Sequence, residues 1–404
     1  MSAWDNLEPL RQRIEEAEDA DVALGFVFDR IESPSRAWAH GRRLILAGSN
    51  NYLGLSFYKP ALEASAEATF EFGLGTTGSR LANGTLSYHA QLEDELAEFC
   101  GRRKAIVFST GYQSNVGILS SLPSVGDVVF VDDECHASIL DGCRLGGVRF
   151  RRFRHNDAAD LDAKLKATSA RNKIVVVEGI YSMSGDRADL RPIVEAKNDN
   201  DALLIVDEAH AFGVLGANGR GLAEEQGLES HVDIITGTFS KSLGAVGGFA
   251  VGDAENFDLL RYVSRSYVFT ASLPAPIVQG VRSALGALKD GASLRAQLMR
   301  NLAQLHAGLT RAGLPPAHSD SPVVALKIGE TGHAISLWKA ILERGVYVNM
   351  IVPPASPDGA AMLRLSVSAA HTAEDISEIC RAVEGALGDV PEFSEERLSE
   401  TVAS

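Results

Sequence analysis

Ala202-Leu203-Leu204-Ile205-Val206-Asp207-Glu208-Ala209-His210 is the stretch that decides the fold. Its first five residues are apolar without alternation, too short for a helix, and read as a strand buried on both faces. Asp207 is delivered at the carboxyl end of that strand, where open α/β sheets place their ligands. Lys241 follows 34 positions later (241 − 207), inside Thr236-Gly237-Thr238-Phe239-Ser240-Lys241-Ser242-Leu243-Gly244. Taken singly, these are a helix-capping aspartate and a surface lysine in a Gly/Ser loop. Taken together, they place one amine and one carboxylate at the ends of predicted strands.

That pair suits pyridoxal phosphate. An amine must form the Schiff base, and a carboxylate must keep the pyridine nitrogen protonated so that the ring accepts electrons. His210 lies close enough to Asp207 in sequence to reach the ring's phenolic oxygen. Asp207–His210 also spells the four-letter motif of an ATP-driven helicase, which needs a GxxxxGK[ST] phosphate loop. No Gly-Lys dipeptide occurs in the chain, so that reading fails.

Outward from this centre, residues 60–285 alternate helical stretches with short Val/Ile-rich runs: Ala105–Phe108, Val128–Val131, Ile174–Val177, Leu203–Val206 and Ile234–Ile235. The alternation predicts an α/β fold with a mainly parallel sheet covered on both faces. Residues 41–55 read as a short strand and a turn. Residues 286–310 read as helical and lead into a smaller domain. That domain has strands at Val323–Ile328, Val346–Met350 and Met362–Val367 and helices at 332–344 and 373–387. Thr372 is the expected cap of the last helix. Residues 3–20 carry Trp4, Leu7, Leu10, Ile14 and Ala17 at helical spacing, which predicts one amphipathic helix. Its acidic polar face favours docking onto protein, with peripheral contact with a membrane as the other reading.

The candidate chemistry again falls at strand ends. Ser109-Thr110-Gly111-Tyr112-Gln113 puts small residues at a helix start, where backbone N–H groups and the helix dipole favour a phosphate. An ordinary strand-to-helix turn has the same look, and Tyr112 packs a core equally well. His136 follows Val128–Val131; stacking on a pyridine face with proton transfer and an ordinary packed histidine are both open to it. Thr238 and Ser240 add hydroxyl donors before Lys241. Arg364 suits a carboxylate as a bidentate fork, although alone it reads as a solvated arginine on a strand face.

At 404 residues the chain is long enough for two or three domains. A formal net charge of −15 argues against nucleic-acid binding and requires a local basic pocket for any anionic substrate. No apolar run reaches the roughly 18 residues of a membrane helix. Four cysteines without CxxC spacing argue against disulfides and structural zinc, so a reducing cytoplasm is expected and no metal site.

Several stretches together resemble the α-oxoamine synthases, a fold-type I pyridoxal-phosphate family that condenses an amino acid with an acyl-CoA and loses CO2. They are Asn50-Asn51-Tyr52-Leu53-Gly54-Leu55, Gly75–Gly84, Ser109–Gln113, His136-Ala137-Ser138, Asp207–His210, Thr238–Gly244 and Ala369-Ala370-His371-Thr372. The resemblance implies a seven-stranded, mainly parallel sheet in the large domain and an α+β C-terminal domain. It divides the chain into an N-terminal helix and arm (1–54), a cofactor-binding domain (55–285), a small domain (286–390) and a flexible tail (391–404). It implies Lys241 as the Schiff-base lysine, Asp207 as the ring-nitrogen partner, His136 as the stacking base and His210 on the phenolic oxygen. Phosphate contacts come from Thr110, Gly111, Tyr112, Thr238 and Ser240, with Ser182 also at the cofactor. In a homodimer with shared sites, Thr270 would reach the neighbour's phosphate. Asn51 and Arg364 would hold the substrate carboxylate.

Within the family, Ser240-Lys241-Ser242 and the proline-rich Val346–Pro357 resemble the branch that uses L-serine and a long-chain acyl-CoA. Ser184 stands where relatives using glycine or alanine have aspartate. Gly75–Gly84 and Asn50–Leu55 are instead similar to the ketobutyrate-ligase and oxononanoate-synthase branch.

Overall fold

The computed structural model describes residues 2–8, 10–11, 14–15, 25–318, 320–353, 356, 359–390 and 393. Its centre is a seven-stranded sheet built from β4 (Lys104–Phe108), β5 (Val128–Asp132), β6 (Arg149–Phe153), β7 (Lys173–Glu178), β8 (Ala202–Asp207), β9 (Ile234–Thr238) and β10 (Gly248–Gly252). The strand order is β4-β10-β9-β8-β7-β5-β6. Every pairing is parallel except those of β10, which runs antiparallel to β4 and β9. β5 and β9 are buried along their whole length, as strands covered on both faces must be.

Two of the seven strands carry no sequence signal of that kind. β6 reads Arg-Phe-Arg-Arg-Phe and buries only Phe153 fully, because it is an edge strand with one wet side. β10 is five residues framed by glycines, and its antiparallel direction follows from the tight return after Lys241.

Helices cover the sheet. Ala275–Lys289 buries Val278, Val281, Ala284, Leu285 and Leu288, a three-to-four spacing that aims one stripe at the core. The helical stretch expected over 286–310 is two helices, with a break at Asp290-Gly291 before Ala292–Arg311.

Two smaller sheets flank the large one. The N-terminal arm forms β1 (Arg30–Ser33), β2 (Arg36–Ala39) and β3 (Arg42–Leu46). The C-terminal part forms β11 (Val323–Gly329), β12 (Val346–Tyr347), β13 (Asn349–Ile351) and β14 (Ala361–Ser366). The single strand expected over Val346–Met350 is divided. β12 pairs in parallel with β3, whereas β13 pairs antiparallel with β14. The chain changes sheets at Val348, whose carbonyl accepts Trp338 Nε1–H at 2.8 Å. Residues 30–46 and the C-terminal part therefore share one sheet, and Ser366 N–H donates to Ala47 O at 2.7 Å beside it.

At the amino terminus a short 3₁₀ turn, Ala3–Leu7, is capped by Ser2 and leaves Trp4 and Leu7 exposed. The rest of the helix expected over 3–20, the tail 391–404 and part of Val346–Pro357 fall largely outside the described residues. Among the described residues no helix is long and apolar enough to cross a membrane.

Thr372 caps Ala373–Asp389 as expected. Its hydroxyl accepts Asp375 N–H at 3.1 Å, and Asp375 Oδ2 accepts Thr372 N–H at 2.9 Å. Thr372→Ala should lower unfolding free energy by about 1 kcal/mol, measured by urea titration, with turnover unchanged.

Candidate active site

Five strand ends meet in one cavity of about 270 Å³. Thr110, Gly111 and Tyr112 enter after β4, His136 and Ser138 after β5, and Glu178 and Ser182 from β7. Asp207 and His210 come from β8, and Thr238, Ser240 and Lys241 from β9. These positions were expected from sequence, apart from Ser138 and Glu178.

Lys241 is presented by a tight turn. Gly244 N–H donates to Lys241 O at 3.0 Å. Gly244 has φ +64, and a Cβ there would stand 2.3 Å from Ser56 N, so only glycine allows this approach. Desolvation lowers the Lys241 amine from its ordinary 10.5 to about 8; Asp207 and Glu178 oppose the shift and Arg364 adds to it.

Asp207 is buried and held from two sides. Its Oδ1 accepts Ala209 N–H at 2.9 Å, and its Oδ2 accepts Asn115 Nδ2–H at 2.6 Å. Asn115 also donates to Ser138 Oγ at 3.0 Å, while its own carbonyl accepts Thr236 Oγ–H at 2.8 Å. Asn115 was not legible as a site residue, because one asparagine in an apolar helix announces no partner 92 positions away. Glu208, the decoy neighbour, faces elsewhere: its carboxyl accepts Leu222 and Ala223 N–H, both at 3.0 Å.

The histidines are set as neutral rings. Ser138 N–H donates to His136 Nδ1 at 3.2 Å, so the ring proton belongs on Nε2. Burial lowers the His136 pKa; Asp207 works against this and Lys241 with it. His210 Nδ1 lies 2.6 Å from Tyr52 Oη. Burial, then the charges of Lys241 and Arg364, hold His210 well below the usual histidine range. Tyr52 is itself pushed up to about 12 by burial. Glu178 is raised well above a normal carboxyl, first by burial and then by Asp207, although His136 N–H donates to it.

The first turn of the helix Gly111–Leu119 lines the same cavity, with Thr110 as its cap. Thr238 and Ser240 face that turn, their hydroxyls 2.9 Å apart. A Cβ on Gly111 would stand 2.7 Å from Thr238 Cβ, so the cradle is closed by glycine. Backbone N–H groups, a helix dipole and two hydroxyls, with an amine and a carboxyl lining the same cavity, fit pyridoxal phosphate in polarity.

Three expected residues lie outside this cavity. Asn51 lines a neighbouring cavity of about 430 Å³, which shares Ser240. There its Nδ2 donates to Ser56 Oγ at 2.6 Å and its Oδ1 is buried without a partner. Arg364 donates from Nε to Ser182 O at 2.7 Å and from Nη2 to Asn50 Oδ1 at 3.1 Å. Thr270 lies in a separate small pocket, where Gln113 Nε2 donates to its hydroxyl at 3.3 Å.

The family profile described as aminotransferase class I and II matches residues 42–383. Serine palmitoyltransferase of Caulobacter vibrioides (strain NA1000 / CB15N) is 49% identical over 356 residues, 88% of each chain. The Sphingomonas paucimobilis serine palmitoyltransferase structure with PLP and myriocin bound superposes with a TM-score of 0.95 at 39% identity, covering 97% of this chain and 100% of that one. The chain belongs to the α-oxoamine synthase family. An 8-amino-7-oxononanoate synthase from Anaeromyxobacter dehalogenans (strain 2CP-1 / ATCC BAA-258) is 40% identical over 351 residues, 87% of this chain and 88% of that one. As an α-oxoamine synthase this chain is an acyltransferase dependent on pyridoxal phosphate.

Imine formation needs the neutral form of Lys241. On cofactor-free protein, the rate at which added pyridoxal phosphate develops its lysine-bound absorbance should therefore climb with pH through about 8. A midpoint near the ordinary 10.5 would show that the amine is not desolvated.

Proposed function

We propose that this α-oxoamine synthase condenses L-serine with a long-chain acyl-CoA such as palmitoyl-CoA. The products are 3-ketodihydrosphingosine, CoA and CO2, the first step of sphingolipid synthesis. The observation that carries this reading is the 49% identity to a serine palmitoyltransferase across 88% of each chain, against 40% for the oxononanoate synthase. The Ser240-Lys241-Ser242 sequence at the head of the cavity points the same way. The Gly75–Gly84 stretch favours the oxononanoate branch, which is the second reading.

Pyridoxal phosphate, when bound, supplies the electron sink for a carbanion at the amino-acid Cα. Lys241 would hold it covalently, Asp207 would face the ring nitrogen, and His210 with Tyr52 behind it would face the phenolic oxygen. The Thr110–Tyr112 backbone, Thr238 and Ser240 would take the phosphate, with Ser182 at the rim. Lys241 would be the base for the Cα proton, its amine brought by desolvation down to about 8. His136 would stack on the cofactor ring and take part in proton transfer as a base. Arg364 and Asn51 would grip the substrate carboxylate. The unpartnered Asn51 Oδ1 requires a donor there, which a serine amine or hydroxyl provides. Tyr347 and Ile31, lining the neighbouring cavity with Phe28, would receive the start of the acyl chain.

A homodimer completes this reading. Leu74 and Phe269 are exposed by 83% and 72% on the surface where Ser272 N–H ties the 73–84 loop to Thr270's segment. Burying that surface against a second copy would bring Thr270 to the partner's phosphate. Four unpaired cysteines suit a cytoplasmic location.

The purified yellow protein should shift its visible spectrum with L-serine and release free thiol from palmitoyl-CoA. A shift with L-alanine instead, and thiol release only from pimeloyl-type substrates, would select the second reading. Asp207→Ala should retain bound cofactor and lose turnover by 100-fold or more, about 2.7 kcal/mol of barrier; full activity would remove Asp207 from its role. Asn115→Ala, which frees one Asp207 oxygen, should lower turnover by about tenfold at unchanged cofactor content.

A further inference from the structure

His155 stands outside the cavity, just past β6, and none of the roles above uses it. Its Nδ1 lies 2.8 Å from Asp132 Oδ1 at the end of β5. Its Nε2 lies 2.8 Å from Asp186 Oδ2 in the loop after β7. A neutral imidazole has a single N–H, so one carboxylate would meet a lone pair. Only the doubly protonated ring satisfies both partners. Burial works against that charge, yet the hydrogen bonds and charges of Asp132 and Asp186 outweigh it and hold His155 up to about 10. The other titratable groups on this ring are Glu134, with Oε2 3.8 Å from Nε2, and Tyr181, edge-on at 4.4 Å between centroids. His318 acts on it indirectly, through Asp186.

The segment tied down in this way, Gly179–Arg187, follows β7 and packs against β11 of the C-terminal part. Gly185 has φ +77, and a Cβ there would stand 2.3 Å from Val323 O of β11. Arg187 Nε lies 3.3 Å from Asp320 Oδ2, just before that strand. Ser184 and Asn156 donate to Asp186 as well. In the middle of the segment, the Ser182 carbonyl accepts Arg364 Nε–H at 2.7 Å. The Asp186 carbonyl accepts Tyr181 N–H at 2.9 Å, and Ser182 follows Tyr181 in the chain, so the contacts run from His155 through Asp186 and Tyr181 to the Ser182 carbonyl and Arg364.

We propose that His155 is a positioning residue for amino-acid binding: as an imidazolium it pins Asp186, fixes the Ser182 carbonyl, and so aims the Arg364 guanidinium. The inference rests on the reading of Arg364 as the carboxylate ligand. It assigns the His155–Asp132–Asp186 group to substrate affinity rather than to cofactor binding or chemistry. Because a proton occupies the place a cation would take, it also assigns no metal to Glu134, His155 and Asp186, which cluster closely enough to suggest one.

Two measurements test it, and they fail separately. Nitrogen NMR of the holoenzyme labelled at histidine should show, at pH 8.5, an imidazolium that disappears in His155→Gln and in Asp186→Asn. Absence of that signal, or a metal-ligated histidine in its place, overturns the proposal. Titration of L-serine against the bound cofactor's absorbance should give a Kd about tenfold weaker in His155→Gln. Cofactor content and the KM for acyl-CoA should stay within about twofold. In an Arg364→Lys background the same change should add less than about twofold, because both act on one guanidinium. Equal losses in both backgrounds, or losses shared by acyl-CoA and cofactor, overturn it. If His155→Gln does not fold, Asp186→Asn takes its place in the same cycle. Wild-type enzyme that binds no serine would defeat the substrate reading while leaving the NMR result to stand on its own.

Discussion

The structure depends on a buried carboxyl held at one strand end. Asp207 sits at the carboxyl edge of the sheet with Ala209 N–H and Asn115 Nδ2–H on its two oxygens. A buried carboxyl is tolerated only when such bonds replace water. The replacement is layered: Asn115 is oriented by Thr236 on the next strand and by Ser138 across the cavity. Four segments are thereby locked around one oxygen pair, at a carboxyl that lines the cavity.

Charge around that centre follows from burial. Lys241, His136 and His210 are each driven toward their neutral forms by desolvation, and their mutual repulsion adds to it for the two histidines. Glu178 is driven toward its neutral form first by the same burial and then by the charge of Asp207 beside it. A base poised near neutrality and rings carrying a single proton are what acid–base work at physiological pH requires. The parallel sheet makes this possible by delivering five loops to one edge, where each side chain is half in the core.

Much of this was legible in order along the chain. The runs Val128–Val131, Ile174–Val177 and, past the exposed Leu203, Leu204–Val206 are buried on both faces, and such strands leave an unbroken apolar signature. Thr372 was legible because a cap and its acidic partner lie within one turn. β6 and β10 were not: an edge strand keeps polar residues, and a glycine-framed return has too few side chains to show a period. The split of Val346–Met350 between two sheets was also hidden, since no glycine or proline marks it and the switch is made by a partner strand over 300 residues earlier.

The amino-acid sequence by itself determined which side chains stand at strand ends, because apolar runs and the polar residues that stop them are local properties. It thereby determined the lysine, carboxyl and histidine set and the kind of cofactor that set admits. Tertiary structure alone decided what those groups touch: Asn115 on Asp207, Tyr52 on His210, and Ser182 on Arg364. These contacts span 92, 158 and 182 positions, and no local pattern encodes a partner brought in by the packing of another strand. It also decided the protonation of each group, since burial and the field of neighbouring charges exist only once the chain has closed around the cavity.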